Sequence, residues 1–376
     1  MEEVPRLKNE YIVNKLNFLS ELLIYFVKCF TLNLVTIHHE RSIFKLNIRK
    51  ISEITGYSPA TVSNALNNKG RVRKETAKRI IEVAEELGYK HAKKIKKVRF
   101  VVFRRNGLVI DNSQFHPAVI EGVERQAKAL GYETVYNNID ISDAGYSKAV
   151  KEILEDKESA VVLLGTEMIN EDFAPFINHD ERLVLLDGWC DKYFFDSVLI
   201  SNTDSTYSAV EYLIGKGHRE IGYIRGDFRI QAFNYREIGF LRAMNRNGIQ
   251  VNKDYWATVG TKNDTAYEDM KKYLEQHKKL PTAFFADNDI IAVGAMRALK
   301  DAGYKVPDDV SVMGFDDVSF SAVSDPPLTT VRVYKQDLGE TAVRELYARL
   351  ERGQICSCKI QVYTSLVERE SVKALC

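Results

Sequence analysis

The chain has 376 residues, of which 45% are hydrophobic and 28% charged, a composition typical of a folded protein with two or three domains. Its net charge of +1 conceals an uneven distribution: residues 46–97 hold 13 basic and 5 acidic side chains, net +8, whereas the residues after them carry −8. A small basic module before a larger acidic body indicates a nucleic-acid-binding protein with a separate second function.

The five cysteines are scattered and odd in number, which argues against a disulfide framework and fits the reducing cytoplasm. Cys356 and Cys358 have no second pair or histidines nearby, so we predict no metal site, and nothing in the sequence calls for a cofactor. The chain also lacks G-x-x-x-x-G-K-[ST], G-x-S-x-G and a histidine pair with metal-ligand spacing. An enzyme is therefore not expected.

Residues 1–45 form an atypical apolar extension. The stretch from Leu16 to Ile37 is long enough to span a bilayer, but Glu21 and Lys28 interrupt it and no small-residue cleavage site follows. A membrane anchor is not favoured, so we expect no membrane partner. An ordinary amphipathic helix is one alternative, and a segment that is not translated is another.

Residues 46–90 have the pattern of three helices. Ile48, Ile51 and Ile54 are expected on one face of the first helix, which Gly56 ends. Ser58 is a good N-cap, and Pro59 suits the first position of a second helix that ends near residue 66. In the second helix Val62, Ala65 and Leu66 are expected to face inward. The apolar face of the third helix would hold Ala77, Ile80, Ile81, Ala84 and Leu87.

The second of these helices opens with small polar residues. In a helix-turn-helix, the second helix enters the major groove by its N-terminal end, where bulky side chains would block the approach. Thr61, Ser63 and Asn64 are placed to reach base edges or phosphates, whereas Lys69 with the arginines that follow would contact phosphates. Taken singly, Thr61 and Ser63 could equally be solvated helix positions.

The segment ISEITGYSPATVSNALNNKGRVRKETAKRIIEVAEELGYK, residues 51–90, resembles the DNA-binding headpiece of the LacI (GalR-LacI) family of bacterial transcription regulators. The resemblance implies that Pro59, Ala60 and Asn64 set the operator sequence, and that Thr61 and Ser63 mostly contact the DNA backbone. The full set of expected DNA contacts is Tyr57, Ser58, Pro59, Ala60, Thr61, Ser63, Asn64, Asn67, Lys69, Arg71 and Arg73.

Beyond residue 98, short apolar runs alternate with helical segments, which predicts βαβ units and parallel sheets. The span is too long for one sheet, so we expect two doubly wound α/β subdomains with a cleft between them. The predicted fold is thus an all-α helix-turn-helix headpiece followed by an α/β core. The expected bounds are 46–90 for the headpiece, 91–98 for a basic linker, 99–202 with 331–350 for subdomain one, and 203–328 with 355–376 for subdomain two.

The resemblance continues through KGHREIGYIRG (216–226), YREIGF (235–240), a long segment at 281–317 and PPLTTV (326–331). It implies a periplasmic-binding-protein-like core with a small-molecule effector, expected to be a carbohydrate, between the subdomains. The implied effector contacts on one wall are Arg236, Asn288 and Asp316; weaker candidates on the other are Asp187, Trp189 and Phe115. Arg236 with Asp316 could instead be a structural ion pair, Asn288 a helix cap and Trp189 a core residue.

Two departures from the family pattern bear on function. Where relatives often carry a stacking aromatic residue, this chain has Thr261 and Lys262, which leaves room for a phosphorylated or acidic ligand. The linker lacks the leucine that wedges into the minor groove in relatives; Ile95 is a conceivable substitute. Its four lysines, Lys93, Lys94, Lys96 and Lys97, would mainly contact phosphates.

These observations together predict a cytoplasmic, homodimeric transcription regulator that represses by binding double-stranded operator DNA. A sugar or sugar phosphate would modulate its operator affinity. A transporter's solute-binding protein shares the core fold but would need a signal peptide and no helix-turn-helix. Since relatives begin close to the first helix, we also expect translation to start near Leu46.

Overall fold

The structure is a computed structural model that describes residues 48–66, 72–87, 95–111, 114–352 and 356–375. The chain divides into two compact units, Met1–Lys93 and Lys94–Cys376, and the division falls within the segment predicted to be a linker. The predictions for residues 1–45 and for Asn67, Lys69, Arg71, Lys93 and Lys94 lie outside the described residues. None of the described helices has the length and apolar character needed to cross a membrane.

The described part of the first unit contains three helices: α1 (48–55), α2 (Pro59–Leu66) and α3 (Lys74–Glu86). The bounds of α2 are those predicted, and Val62, Ala65 and Leu66 face inward as expected. They pack with Ile51 of α1 and with Ile80 and Ala84 of α3 to form a small core. Burial of this apolar stripe orients α2, because its remaining side chains must then face outward.

One inward position in α1 was predicted wrongly. Ile54 is 52% exposed, and Thr55 is buried in its place. With 3.6 residues per turn, the residue four positions after Ile51 lies closer to the buried face than the residue three positions after it. The threonine tolerates burial because its hydroxyl donates to the Ile51 carbonyl at 2.6 Å. Leu87, predicted on the apolar face of α3, is likewise exposed, since it follows the last helical residue.

Ser58 caps α2 as predicted: its hydroxyl oxygen accepts the Thr61 backbone N–H at 3.1 Å. We expect Ser58→Ala to reduce the stability of the first unit by about 1 kcal/mol, because a helix N–H loses its acceptor. Ser58→Thr keeps the hydroxyl and should retain most of that stability. Thermal unfolding followed by circular dichroism would test the pair, and equal losses in the two variants would contradict the capping role.

The strands described in the second unit are β1 (Lys97–Arg104), β2 (Glu133–Asp140), β3 (Ser159–Leu164), β4 (Leu183–Leu186), β5 (Asp196–Ile200), β6 (Ile221–Gly226), β7 (Trp256–Val259), β8 (Ala283–Ala286), β9 (Ser311–Met313), β10 (Thr330–Arg332), β11 (Lys359–Val362) and β12 (Ser365–Val367). The α-helices are α4 (Phe115–Ala129), α5 (Tyr146–Glu155), α6 (Asn202–Gly215), α7 (Gln231–Arg246), α8 (Asn263–Gln276), α9 (Asp289–Asp301) and α10 (Lys335–Arg352).

Two parallel sheets organise these elements, which confirms the predicted fold. The first has the strand order β11-β5-β4-β3-β1-β2 and the second β7-β6-β8-β9. Strands β3, β4 and β5 are buried throughout, as expected for central strands covered by helices on both faces. β10 and β12 form a separate antiparallel pair. The carboxyl ends of the parallel strands are therefore available to build a site between the sheets.

The C-terminal segment differs from its predicted assignment to subdomain two. β11 pairs in parallel with β5 and so belongs to the first sheet. This pairing satisfies backbone groups of β5 that would otherwise lie on an open sheet edge: the Ser197 N–H donates to the Cys358 carbonyl at 2.9 Å, and the Ser201 N–H to the Val362 carbonyl at 3.0 Å. Only then does the chain return to the second sheet, where the Val312 N–H donates to the Ser371 carbonyl.

Candidate effector pocket and DNA-reading helix

The outward surface of α2 consists of small residues. Ser58, Pro59 and Ala60 are exposed at its start, and Thr61, Ser63 and Asn64 are half-exposed along the next turn. This surface is narrow and carries hydroxyl and amide groups, which are the properties that major-groove recognition requires. The buried residues of α2 fix which side chains lie on it.

Two predicted DNA contacts lie beside α2. Tyr57 is half-buried against the core of the first unit, and its carbonyl accepts a hydrogen bond from the Ser52 hydroxyl. Arg73 is exposed immediately before α3. The structure thus gives Tyr57 a packing role and leaves the Arg73 side chain accessible. Contact of either residue with DNA stays a prediction.

A cavity in the second unit is lined from both sheets. Five of the six predicted effector residues border it: Phe115, Asp187, Arg236, Asn288 and Asp316. Phe115 begins α4, Asp187 follows β4, and Asn288 and Asp316 follow β8 and β9, so these four come from chain segments beyond strand carboxyl ends. The remaining lining residues are mostly apolar: Val109, His116, Thr166, Ile200, Ile230, Ala232 and Phe233.

Trp189, the sixth predicted effector residue, does not line this cavity, and its contact with an effector stays a prediction. Its ring packs on Tyr235 with the centroids 4.1 Å apart, and Lys359 Nζ lies 4.9 Å from the indole centroid. Asp187 has a φ of +49°, a left-handed conformation in which the chain turns. Because the chain turns at Asp187, the Asp187 side chain borders the cavity, whereas Trp189 two residues later packs against α7.

Arg236 lines the cavity and links three of the segments around it by hydrogen bonds. Its Nε donates to Asn202 Oδ1 at 2.9 Å, one terminal nitrogen donates to the Asp287 carbonyl, and the other donates to Asp316 Oδ1 at 3.2 Å. The guanidinium also lies 3.8 Å from the centroid of the Phe315 ring. Arg236 and Asp316 therefore form the ion pair that the sequence left open as an alternative to a ligand contact.

Asn288 caps α9, the other structural role left open by the sequence. Its Oδ1 accepts the Ile291 N–H at 3.0 Å. Because the oxygen is committed to the helix, the amide nitrogen is the group that remains to donate toward a ligand. Capping and ligand recognition are therefore compatible in this residue, and each uses a different atom.

Two carboxylates face the cavity. Burial raises the pKa of Asp187 to about 6, with the nearby charge of Asp316 adding to the effect and the Thr166 hydroxyl and Arg236 opposing it. The Thr166 hydroxyl donates to Asp187 Oδ2 at 2.8 Å, so Oδ1 remains as an acceptor. Burial also raises the pKa of Asp316, against the effect of Arg236 and Lys335. A buried carboxylate with a free oxygen favours a ligand that donates hydrogen bonds.

His116 is a cavity residue that the sequence analysis missed. It is 7% exposed, and neither ring nitrogen makes a hydrogen bond of normal geometry with the described residues. Burial lowers its pKa to about 4, although the Glu167 charge and the Ile110 carbonyl oppose this. A neutral imidazole can both donate and accept, and since the Ile110 carbonyl lies close to the ring, His116 has one ring nitrogen left for a ligand. Its position directly after Phe115, at the start of α4, was the available signal.

The residues after β7 have a structural role. Thr261 is buried, and its hydroxyl donates to the Leu108 carbonyl at 3.0 Å, which joins the second sheet's side of the cavity to the loop after β1. Lys262 precedes α8 and is half-buried. Neither residue borders the cavity, so these positions give no support to the phosphorylated or acidic ligand considered from the sequence.

Comparison with known families agrees with this two-part organisation. A family model described as bacterial regulatory proteins, lacI family, matches residues 47–91, and one described as a periplasmic binding protein-like domain matches residues 210–372. The first match spans the three helices of the first unit, and the second spans the sheet that carries Arg236, Asn288 and Asp316. Together they define a bacterial DNA-binding regulator with an attached ligand-binding-type domain.

Similar proteins extend this result over most of the chain. The HTH-type transcriptional repressor PurR of Erwinia tasmaniensis is 30% identical over 86% of this chain and 96% of its own length. PurR of Pasteurella multocida is 28% identical over 87% of this chain and 98% of its own. A crystal structure of the Lac repressor dimer bound to operator and the anti-inducer ONPF is 25% identical, covers 86% of this chain and 98% of its own, and has a TM-score of 0.66.

The protein is thus a DNA-binding transcription regulator, as its sequence predicted. More particularly, the chain belongs to the lacI family of bacterial regulatory proteins. The alternative of a transporter's solute-binding protein is set aside, because the similarity includes the helix-turn-helix unit.

Proposed function

We propose that this protein is a transcriptional repressor that binds operator DNA as a homodimer and responds to a small molecule held in the cavity between its two sheets. The observation that carries the proposal is the convergence in one cavity of Asp187, Asn288 and His116, each with an unused hydrogen-bonding atom. Buried polar groups are normally paired, so unpaired groups that share a cavity indicate a missing partner.

The charges around the cavity favour an uncharged effector. Its described lining contains two carboxylates and one cation, and that cation, Arg236, is already paired with Asp316. A phosphate group would meet the charge of Asp187 without a free cation to balance it. Hydroxyl groups, in contrast, can donate to Asp187 and accept from Asn288 and His116. We therefore favour a neutral sugar over a sugar phosphate, with Phe115 and Phe233 supplying apolar contact.

The relatives support the remainder of the proposal. Both PurR proteins are described as repressors, and the Lac repressor structure is a dimer on operator DNA. Two copies of α2 related by a two-fold axis would read the half-sites of a near-palindromic operator. Such a regulator works in the cytoplasm, where bacterial DNA lies.

A thermal-shift screen with matched neutral sugars and sugar phosphates tests the effector class. A ligand that binds only the folded protein raises Tm by mass action, so we expect a shift with a neutral sugar and none with its phosphate. The same sugar should change the affinity for operator DNA measured by fluorescence anisotropy. Shifts confined to phosphorylated compounds, or a sugar that shifts Tm without altering DNA affinity, would contradict the proposal.

Effector binding should depend on pH through Asp187. Its carboxyl has a pKa of about 6 in the free protein, and a donating ligand stabilises the ionised form. Affinity should therefore be constant above pH 7 and fall below pH 6, by up to about tenfold per pH unit. His116, with a pKa of about 4, stays neutral over this range. Isothermal titration between pH 5 and pH 8 would measure the trend.

Asp187→Asn is the control for this pH profile, because it keeps the shape of the side chain but cannot ionise. The variant should bind the sugar more weakly at pH 7 and show no change in affinity between pH 5 and pH 7. A wild-type profile that persists in the variant would assign the titration to another group.

A further inference from the structure

The loop after β1, residues 105–111, joins the two sides of the cavity. Val109 borders the cavity and packs against the hydrophobic cluster of the second sheet. The adjacent Leu108 carbonyl accepts the Thr261 hydroxyl. The loop leaves the first sheet and is held to the second sheet's side by these two contacts. The conformation of the loop therefore decides whether the cavity is closed on the side that Val109 lines.

A single buried carboxylate organises this loop. Glu167, three residues after β3, is 2% exposed and accepts five backbone N–H groups. Oε2 accepts those of Arg105, Asn106 and Gly107 at 2.9, 3.1 and 3.0 Å, and Oε1 accepts those of Val109 and Ile110 at 3.0 and 3.1 Å. Five amides around one carboxylate form an anion-binding nest whose anion belongs to the chain itself.

The charge of Glu167 is stabilised by these amides. Burial tends to raise its pKa, but the backbone donors hold the pKa below its usual value. Within the described chain no lysine or arginine forms an ion pair with it. Gly107 has a φ of +70°, a left-handed conformation that side chains with a Cβ rarely adopt, so the wrapped shape of the loop also favours glycine.

We propose that Glu167 is a positioning residue of the effector site: its carboxylate holds loop 105–111 closed over the cavity, although Glu167 itself does not border it. Without the carboxylate, five amides lose their shared acceptor, and the wrapped shape of the loop loses its largest group of hydrogen bonds. Effector affinity would then depend on a residue that never contacts the effector. The effect on effector affinity rests on the proposed function. The effect of Glu167 on the conformation of the loop does not.

Hydrogen exchange of the loop tests the proposal without any effector. In Glu167→Ala and Glu167→Gln, the amides of residues 105, 106, 107, 109 and 110 should exchange at least about tenfold faster than in the wild type, because their shared acceptor is lost or replaced by a group that also donates. Peptides from β1 should be unchanged. Glu158→Gln, which alters an exposed ion pair with Lys96, is the matched control and should leave the loop protected.

Chemical rescue separates a specific carboxylate role from general damage. Glu167→Ala leaves a space lined by N–H donors, so formate should restore protection of the loop, whereas chloride at equal ionic strength should not. Glu167→Gln fills the space and should not respond to formate. Unchanged exchange in both variants would overturn the proposal, as would equal effects of formate and chloride in a folded Glu167→Ala protein. If that variant does not fold, unchanged exchange in Glu167→Gln alone would overturn it.

Measurement of sugar binding distinguishes the proposed effector from the proposed role of Glu167 in the loop. A sugar identified by the thermal-shift screen should bind Glu167→Ala at least about tenfold more weakly, and formate should recover its affinity. If formate restores loop protection while no sugar binds the wild type, the role of Glu167 in the loop stands and the proposed effector is wrong.

Discussion

Arg236→Ala should reduce the free energy of unfolding of the second unit by about 3–5 kcal/mol and abolish effector binding. The substitution removes the partner of a buried carboxylate, because the side chains of Arg236 and Asp316 are only 4% and 13% exposed. It also removes the donors to Asn202 and to the Asp287 carbonyl. The negative charge of Asp316 would then face Asp187 with only Lys335 left to oppose it.

Thermal unfolding of the variant should show a fall in Tm of about 6–20 °C. Arg242→Ala is the matched control: it lies on the same helix, and its ion pair with Asp204 is exposed on both sides. That exposed pair should contribute about 0–1 kcal/mol. Adding Asp316→Asn to Arg236→Ala should recover part of the loss, because it removes the unpaired buried charge. Equal losses in the Arg236 and Arg242 variants would contradict this account.

Asn64→Ala should change which base is preferred at one position of each operator half-site. Asn64 is half-exposed on the outward surface of α2, and asparagine is suited to bidentate contact with adenine. Pro59 and Ala60 beside it have no hydrogen-bonding side chain, so their contacts would be apolar, for example with thymine methyl groups. Loss of Asn64 should cost about 1–3 kcal/mol on the preferred operator and much less on a site altered at that position.

Competition binding against a set of single-base operator variants would measure this change. Arg73→Ala is the comparison, because an exposed arginine at a phosphate should lower affinity for all sequences alike and reduce the salt dependence of binding. If Asn64→Ala also weakens binding uniformly, Asn64 contacts the DNA backbone instead of a base.

The sequence predicted best where local chemistry alone decides the structure. Ser58 and Pro59 specify the start of α2 through a cap and a preset φ, so the helix was found with its correct bounds. The apolar strands of the core were recognisable for the same reason. Thr55 was missed because a polar residue can replace Ile54 in the core when its hydroxyl bonds to its own helix.

Features that depend on distant partners could not be predicted. β11 alternates polar and apolar residues, and its place in the first sheet follows from the open edge of β5. His116 and Glu167 are single residues in sequence, and only the folded chain shows that His116 makes no hydrogen bond of normal geometry with the described residues, whereas Glu167 accepts five. For Arg236 and Asn288, the sequence offered a ligand contact and a structural role as alternatives, and only the folded chain shows that both residues have the structural role while bordering the cavity.

The path of the C-terminal segment makes the two halves of the second unit inseparable. After α10, β11 completes the first sheet, β12 pairs with β10, and Ser371 then bonds to the second sheet. Neither half is a continuous piece of chain, so neither can be completed during synthesis before residues 359–371 emerge. Both sheets must therefore mature together after residues 359–371 have been synthesised, and a nascent chain that lacks them exposes the edge of β5 to aggregation.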